Sequence, residues 1–232
     1  MKLLIIGCER SGTTVVAKLI SQGSKLSLLN DPPESWYTYP LINLVGIRGF
    51  SLNLIYRIWK FKIVKVPGFA TILPELRRIH PKPFKIVYMV RDPRDNFSAI
   101  KERLAQDLNG LYLNVHFLNI KGKNVCENIS YRWDAYLNLA QKYSNRFKDD
   151  ILFVKYEDFL KDKEGVLKQI ALFSSIKLDM NLIKKDLDRQ INKSWSDKIS
   201  GTGRYKSDLT LDEIQIVERI TGNNMDKFNY KR

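Results

Sequence analysis

The first fifteen residues, Met1 to Val15, read MKLLIIGCERSGTTV and restrict this chain more than any other stretch. Leu3-Leu4-Ile5-Ile6 is an apolar run of strand length that ends at Gly7. Cys8-Glu9-Arg10-Ser11 is a short polar loop, Gly12 follows, and Thr13-Thr14 open a segment of helical periodicity. A strand, a glycine-bounded loop and a helix N-terminus in that order make a phosphate cradle. Backbone N–H groups converge on the loop, and the helix dipole adds partial positive charge at the same point. The Gly7-x4-Gly12 spacing matches a Walker-type loop, but Thr13 stands where that loop carries lysine. Arg10 supplies the charge from inside the loop instead, which suits a phosphate or phosphosulfate better than a metal-bound triphosphate. Glu9 is unusual in such a loop and disfavours an anion unless its side chain turns away.

Short apolar stretches recur behind this one. Residues 2–6, Lys25–Leu29, Phe61–Val66, Phe84–Val90 and Ile151–Lys155 read as strands. Between them, helices are expected at Thr13–Gln22 with Gly23 as its C-cap, at Leu41–Trp59, Ala70–Ile79 and Pro93–Leu108, and over 124–147. Later helices are expected at 159–174, 179–190 and Thr210–Thr221, while 112–120 is a less regular segment. Strands alternating with helices argue an α/β fold: a three-layer αβα arrangement around a central, mostly parallel sheet, like that of P-loop NTPases. No repeat or Pro/Gly/Ser-rich linker divides the 232 residues, so one domain, 1–232, is expected.

Charge narrows the partners. The chain carries 39 Lys and Arg against 25 Asp and Glu, a net +14, which favours polyanions such as nucleotide cofactors and acidic glycans. The basic residues are spread out rather than gathered in a tail, and no nucleic-acid partner is expected. The 2 cysteines, Cys8 and Cys126, have no metal-ligand spacing, so a reducing, cytoplasmic setting without a disulfide framework or zinc fits. Ile5-Ile6-Gly7-Cys8 resembles a lipoprotein cleavage box, but too few residues precede it for a signal peptide. No apolar run approaches the roughly 18 residues of a membrane span. The glycosylation-like triplets at Asn96, Asn128 and Asn192 are read as chance matches.

The second candidate site is Arg91-Asp92-Pro93-Arg94-Asp95, just past the end of the strand at Phe84–Val90. In open α/β sheets ligands bind at that edge, and a guanidinium there can grip a phosphate with two parallel hydrogen bonds. The same residues also read as a helix start, with Asp92 as N-cap and Pro93 at the first helical position. Ser98, about one helical turn on, is a further hydroxyl donor.

Taken together, these segments resemble the sulfotransferases that use 3′-phosphoadenylyl sulfate (PAPS). Gly7-Cys8-Glu9-Arg10-Ser11-Gly12-Thr13-Thr14 is similar to their 5′-phosphosulfate loop. Val90-Arg91-Asp92-Pro93-Arg94-Asp95, with Ser98, resembles their 3′-phosphate motif, and Val64-Lys65-Val66-Pro67-Gly68 resembles their Lys-x-Pro strand end. Val154-Lys155-Tyr156-Glu157-Asp158 looks like the strand end whose tyrosine contacts adenine. Gly203-Arg204-Tyr205-Lys206, with Asn229-Tyr230, resembles the basic loop that closes over the cofactor. Each match is degenerate alone, but their order from residue 3 to 230 is specific.

The resemblance implies transfer of a sulfuryl group from PAPS to a hydroxyl or amine, leaving adenosine 3′,5′-bisphosphate (PAP), without a metal. Glu9, Arg10, Ser11, Gly12, Thr13 and Thr14 would surround the phosphosulfate. Arg91 and Ser98 would hold the 3′-phosphate, and Tyr156 and Arg204 the adenosine part. Arg10 and Lys65 are placed to stabilise charge on the group in flight. Neither His80 nor His116 matches the histidine base of the small-molecule branch. The chain is closer to the carbohydrate and protein branches, whose base is a carboxylate soon after the second strand, here Asp31 or Glu34. A glycan is thus among the candidate acceptors. One departure is that the family's serine commonly lies eight residues after the arginine; Ser98 is one residue early, about 100° round a helix. Trp36, Tyr37 and Tyr39 would offer either an acceptor platform or ordinary packing. A P-loop kinase and a non-catalytic polyanion-binding module are the rival readings.

Overall fold

A computed structural model describes residues 2–32, 60–79, 84–105, 122–187 and 201–232. The expected helix at Leu41–Trp59, the segment 112–120, Glu34, Trp36, Tyr37, Tyr39, His80 and His116 lie outside the described residues.

The chain begins with β1 (Lys2–Gly7), α1 (Thr13–Ser24) and β2 (Leu28–Asn30). Then come β3 (Ile63–Lys65), a 3₁₀ segment at Pro67–Ile72, α2 (Leu73–Ile79), β4 (Phe84–Val90) and α3 (Pro93–Ala105). The second half holds α4 (Val125–Arg146), β5 (Ile151–Lys155), α5 (Tyr156–Lys161), α6 (Lys163–Phe173), α7 (Lys184–Leu187), α8 (Tyr205–Asp208) and α9 (Leu211–Lys227).

The five strands form one sheet in the order β2-β3-β1-β4-β5, and every pairing between them is parallel. Parallel strands need helical crossovers, which cover both faces, so each strand reads as a continuous apolar run. β1 shows how the faces divide. Leu4 and Ile6 pack with Ile86, Tyr88, Trp133 and Tyr136 on the α4 side. Leu3 and Ile5 pack with Val87, Met89, Val16, Leu19, Ile20 and Ile170 on the side of α1 and α6. This is the expected three-layer α/β architecture. A smaller cluster of Phe97, Ile100, Ile129, Leu209 and Val217 joins α3, α4 and α9.

Several boundaries differ from expectation, set by local caps and by one long-range contact. Gly23 does not cap α1; the helix runs on to Ser24, and Lys25, at φ 56°, takes the left-handed cap. Gly23 is instead a contact point, since a Cβ there would come within 2.6 Å of Leu178. With Lys25 spent on the cap, β2 begins later than expected, at Leu28. The helix expected from 159 to 174 starts at Tyr156, directly off β5, and divides at Asp162, whose carboxylate accepts from Gly165 N. At the C-terminus α9 passes Gly222 and continues to Lys227, begun by a Thr210–Glu213 capping box.

β1 is central, and the chain moves from it first to β2 and β3 on one side, then to β4 and β5 on the other. Its C-terminal end is therefore a topological switch point, where the outgoing connections diverge and leave a crevice. The Gly7–Gly12 loop sits there.

Candidate functional site

Gly7, at φ 147°, ends β1 against β4, where a Cβ would overlap the Met89 carbonyl. Arg10 (φ 67°) and Gly12 (φ 83°) both take left-handed conformations, so the chain reverses sharply into α1. Such positions cost a non-glycine residue stability and persist only where surrounding contacts hold them. Gly12 is also the N-cap of α1, and no side chain caps the helix. The first turn thus presents backbone N–H groups to the crevice with the positive end of the helix dipole behind them.

A residue outside the loop holds it in shape. Asn96, fully buried on α3, donates from Nδ2 to Glu9 O at 2.6 Å and to Ser11 Oγ at 3.2 Å. Its Oδ1 accepts from Cys8 Sγ at 3.5 Å. Sequence reasoning set Asn96 aside as part of a chance glycosylation triplet; the available signal was an amide inside the second motif, on a helix face that must be buried. Glu9 turns away from the crevice, with its carboxylate paired to the Arg132 guanidinium on α4. Burial and the neighbouring Glu9 carboxylate push the Cys8 thiol well above its usual range.

At the end of β4, Arg91 is 3% exposed. Its Nη1 donates to Arg10 O at 2.9 Å and its Nη2 to Gly201 O at 3.1 Å. The guanidinium lies 4.9 Å from the centre of the Tyr156 ring. Nε is buried with no hydrogen-bond partner among the described residues. The Tyr156 ring also lies against Gly12, where a Cβ would overlap it, so only glycine lets the ring reach the loop. Loop, arginine and tyrosine thus form one unit from the ends of β1, β4 and β5.

The rest of the second motif is structural in its contacts. Asp92 caps α3, its Oδ1 accepting from Arg94 N at 2.9 Å. Arg94 pairs with Asp92 at 2.7 Å and Glu218 at 2.6 Å, donates to Lys231 O, and lies over the Tyr205 ring. Asp95 accepts from Gly203 N at 2.7 Å and from Tyr205 N at 3.0 Å. One carboxylate thus fixes two backbone groups of the basic loop to α3.

Ser98 and Arg204 do meet, but on a protein carboxylate. Ser98 Oγ donates to Asp208 Oδ2 at 2.6 Å, and Arg204 Nε donates to the same oxygen at 2.8 Å. Arg204 also holds Glu102 at 2.8 Å. Burial by itself would raise the Asp208 carboxyl, but the bonds from Ser98 and Arg204 outweigh it and hold the group below the usual range.

Lys65, 3% exposed at the end of β3, is ion-paired with Asp31, just past the end of β2. Lys65 pairs in register with Ile5, two residues before Gly7, so this pair stands at the same sheet edge as the loop. Both cysteines are free and buried. Among the described residues no cluster has the makings of a metal site, and no helix is long and apolar enough to cross a membrane.

A family model described as the sulfotransferase domain matches residues 1–231. No protein of curated function matches by sequence. Among solved structures, mouse sulfotransferase SULT7A1, crystallised with PAP, superposes with a TM-score of 0.62 at 16% identity, over 97% of this chain and 83% of that one. Sulfotransferase STF9 from Mycobacterium avium gives 0.60 at 12% identity, over 99% and 77%. The sulfotransferase domain of the curacin biosynthetic pathway gives 0.59 at 14%, over 99% and 98%. At these identities the likeness is one of fold.

Proposed function

Because this chain belongs to the sulfotransferase domain family, and is an enzyme of that class, we propose that it transfers the sulfuryl group of PAPS to an acceptor hydroxyl or amine. The observation that carries this reading is the joined anion site: an uncapped helix start tied through the Arg10 carbonyl to buried Arg91, whose Nε has no partner among the described residues. A nucleotide with anionic groups on both the 5′ and the 3′ oxygens of its ribose would use both the loop and Arg91. The PAP in the mouse neighbour's crystal supports the same choice.

Bound there, PAPS supplies an activated sulfuryl group whose leaving group is PAP. The chain's own residues do the rest. The Ser11 N–H is spent on the Cys8 carbonyl, so backbone N–H groups of Gly12, Thr13 and Thr14, with the Ser11 and threonine hydroxyls, would orient the phosphosulfate. Arg10 and Lys65 neutralise charge on the oxygen that bridges sulfur and phosphorus. The Lys65 ammonium has three donors, so it can keep Asp31 while serving that oxygen. Arg91 would hold the 3′-phosphate, joined by Ser98 and Arg204 once Asp208 yields them, and Tyr156 would serve the adenine. A carboxylate, Asp31 or Glu34, would take the acceptor's proton as its oxygen or nitrogen bonds to sulfur and the sulfur–oxygen bond to PAP breaks. That choice of base places the chain with the carbohydrate and protein branches, and the net +14 suits an acidic glycan acceptor. Two free, buried thiols suit a reducing cytoplasm.

Calorimetry with PAP in the presence of a chelator tests the reading. PAP should bind without Mg²⁺ and resist displacement by ATP. Binding that requires Mg²⁺ and is displaced by ATP would identify a kinase instead.

A further inference from the structure

Glu9 puts a negative charge between the two glycines of an anion-binding loop, and the fold answers it from far along the chain. Its Oε1 is paired with Nη2 of Arg132, 123 positions away on α4. Arg132 is 4% exposed, and its side chain is fixed by more than this pair. Nε donates to Tyr136 Oη at 3.3 Å, and the guanidinium lies 5.3 Å from the centre of that ring. The second carboxylate oxygen of Glu9 faces the Cys8 thiol at 3.8 Å, and its backbone carbonyl accepts from Asn96. Glu9 is thereby held at both ends: the main chain by α3, the side chain by α4.

We infer that Arg132 is a positioning residue of the anion loop, which draws the Glu9 carboxylate out of the cradle and cancels its charge there. This deepens the proposed function and rests on the loop being the anion site. The physical argument is one of sign and distance. Glu9 lies within a few residues of every N–H that would face the anion, and the pair is half enclosed, so solvent screens it weakly. A carboxylate released from Arg132 would stand against any phosphate in the loop, and Coulomb repulsion at such range is large. A buried guanidinium left without Glu9 would instead add to the positive field of the helix start.

The four combinations of charge at positions 9 and 132 then give an ordered series. Glu9→Gln leaves Arg132 positive and should bind anions several-fold more tightly than the unaltered protein. Arg132→Met leaves Glu9 negative and should bind at least about tenfold more weakly. The double variant removes both charges and should return to within about threefold of the unaltered protein, a recovery that loss of packing alone cannot produce. The same series is measured with two probes, PAP by calorimetry and inorganic pyrophosphate by thermal shift.

Rescue of Arg132→Met by Glu9→Gln with either probe supports the inference. Equal weakening of Arg132→Met and the double variant overturns it, leaving Arg132 as a packing residue. Should Arg132→Met fail to fold, Glu9→Gln alone decides: tighter binding supports the inference, and weaker binding overturns it. If pyrophosphate follows the series while PAP does not bind the unaltered protein, the cofactor reading fails and the positioning role stands. If neither probe binds the unaltered protein, the loop is not an anion site and both fall.

Discussion

The loop after β1 and the segment after β4 share one edge of the sheet, but they are built on opposite plans. The β1 loop offers backbone. Two of its side chains are tied down elsewhere, Ser11 by Asn96 and Glu9 by Arg132, and the uncapped turn of α1 is left facing the crevice beside Arg10. The β4 segment offers side chains, and most of them are already engaged. Asp92 holds Arg94, Asp95 holds the 203–205 turn, and Asp208 holds both Ser98 and Arg204. On the proposed function, a ligand would enter the first region without breaking these bonds, whereas in the second it would exchange a protein carboxylate for its own phosphate. Preformed donors cost no reorganisation, so the first region should set affinity. The exchange in the second should set discrimination, because only a ligand with a well-placed anion recovers what is given up.

The sharpest way to break this contrast is at Arg94, the most heavily paired cation of the second region. Arg94→Ala strands Asp92 beside Glu218 and should cost about 3–5 kcal/mol in urea denaturation, against very little if its ion pairs were ornamental. Next comes Asn96, which joins the two regions. Asn96→Ala removes the donor to the Glu9 carbonyl and should cost about 2 kcal/mol. Affinity for PAP should fall about tenfold with it, about 1.4 kcal/mol. A stability loss with unchanged affinity would show that the loop keeps its shape unaided.

Gly12→Ala tests whether the loop's conformation is obligatory. The left-handed φ and the overlap with Tyr156 together predict a loss of about 1–3 kcal/mol, read from the same denaturation curves. Asp208→Asn tests the exchange itself at a cost of about 1 kcal/mol in stability. Its expected signature is tighter binding of PAP with adenosine 5′-monophosphate unaffected; equal changes in the two would remove Asp208 from the 3′-phosphate argument.

The smallest effect concerns Cys126, whose thiol burial pushes up to about 11. Between pH 9 and about 11 the unfolded thiol ionises while the folded one does not. The stabilisation present below pH 9 is therefore lost as pH rises through that window. Iodoacetamide at pH 8 should leave the native protein unmodified and alkylate both cysteines after unfolding, counted by mass spectrometry.

Much of the frame was legible from local pattern. Leu3–Ile6, Phe84–Val90 and Ile151–Lys155 are apolar on both faces, which only buried parallel strands require, and Pro93 behind Asp92 marks a helix start without help from the rest of the chain. Boundaries failed where a distant contact overrode propensity. Gly23 has the look of a helix end, yet it lies inside α1 because Leu178 needs the space.

The chain by itself thus determined the fold class and the order of the strand-end motifs, because period and turn chemistry act over a few residues. It could not show where a side chain in those motifs points. Asn96 holding Ser11 of the loop, Ser98 bonded to Asp208, and Lys65 paired with Asp31 all join residues 34 to 110 positions apart. Glu9 makes the point best. Its charge is visible in the first ten residues, but only Arg132, brought beside it by the packing of α4, decides that the charge leaves the cradle.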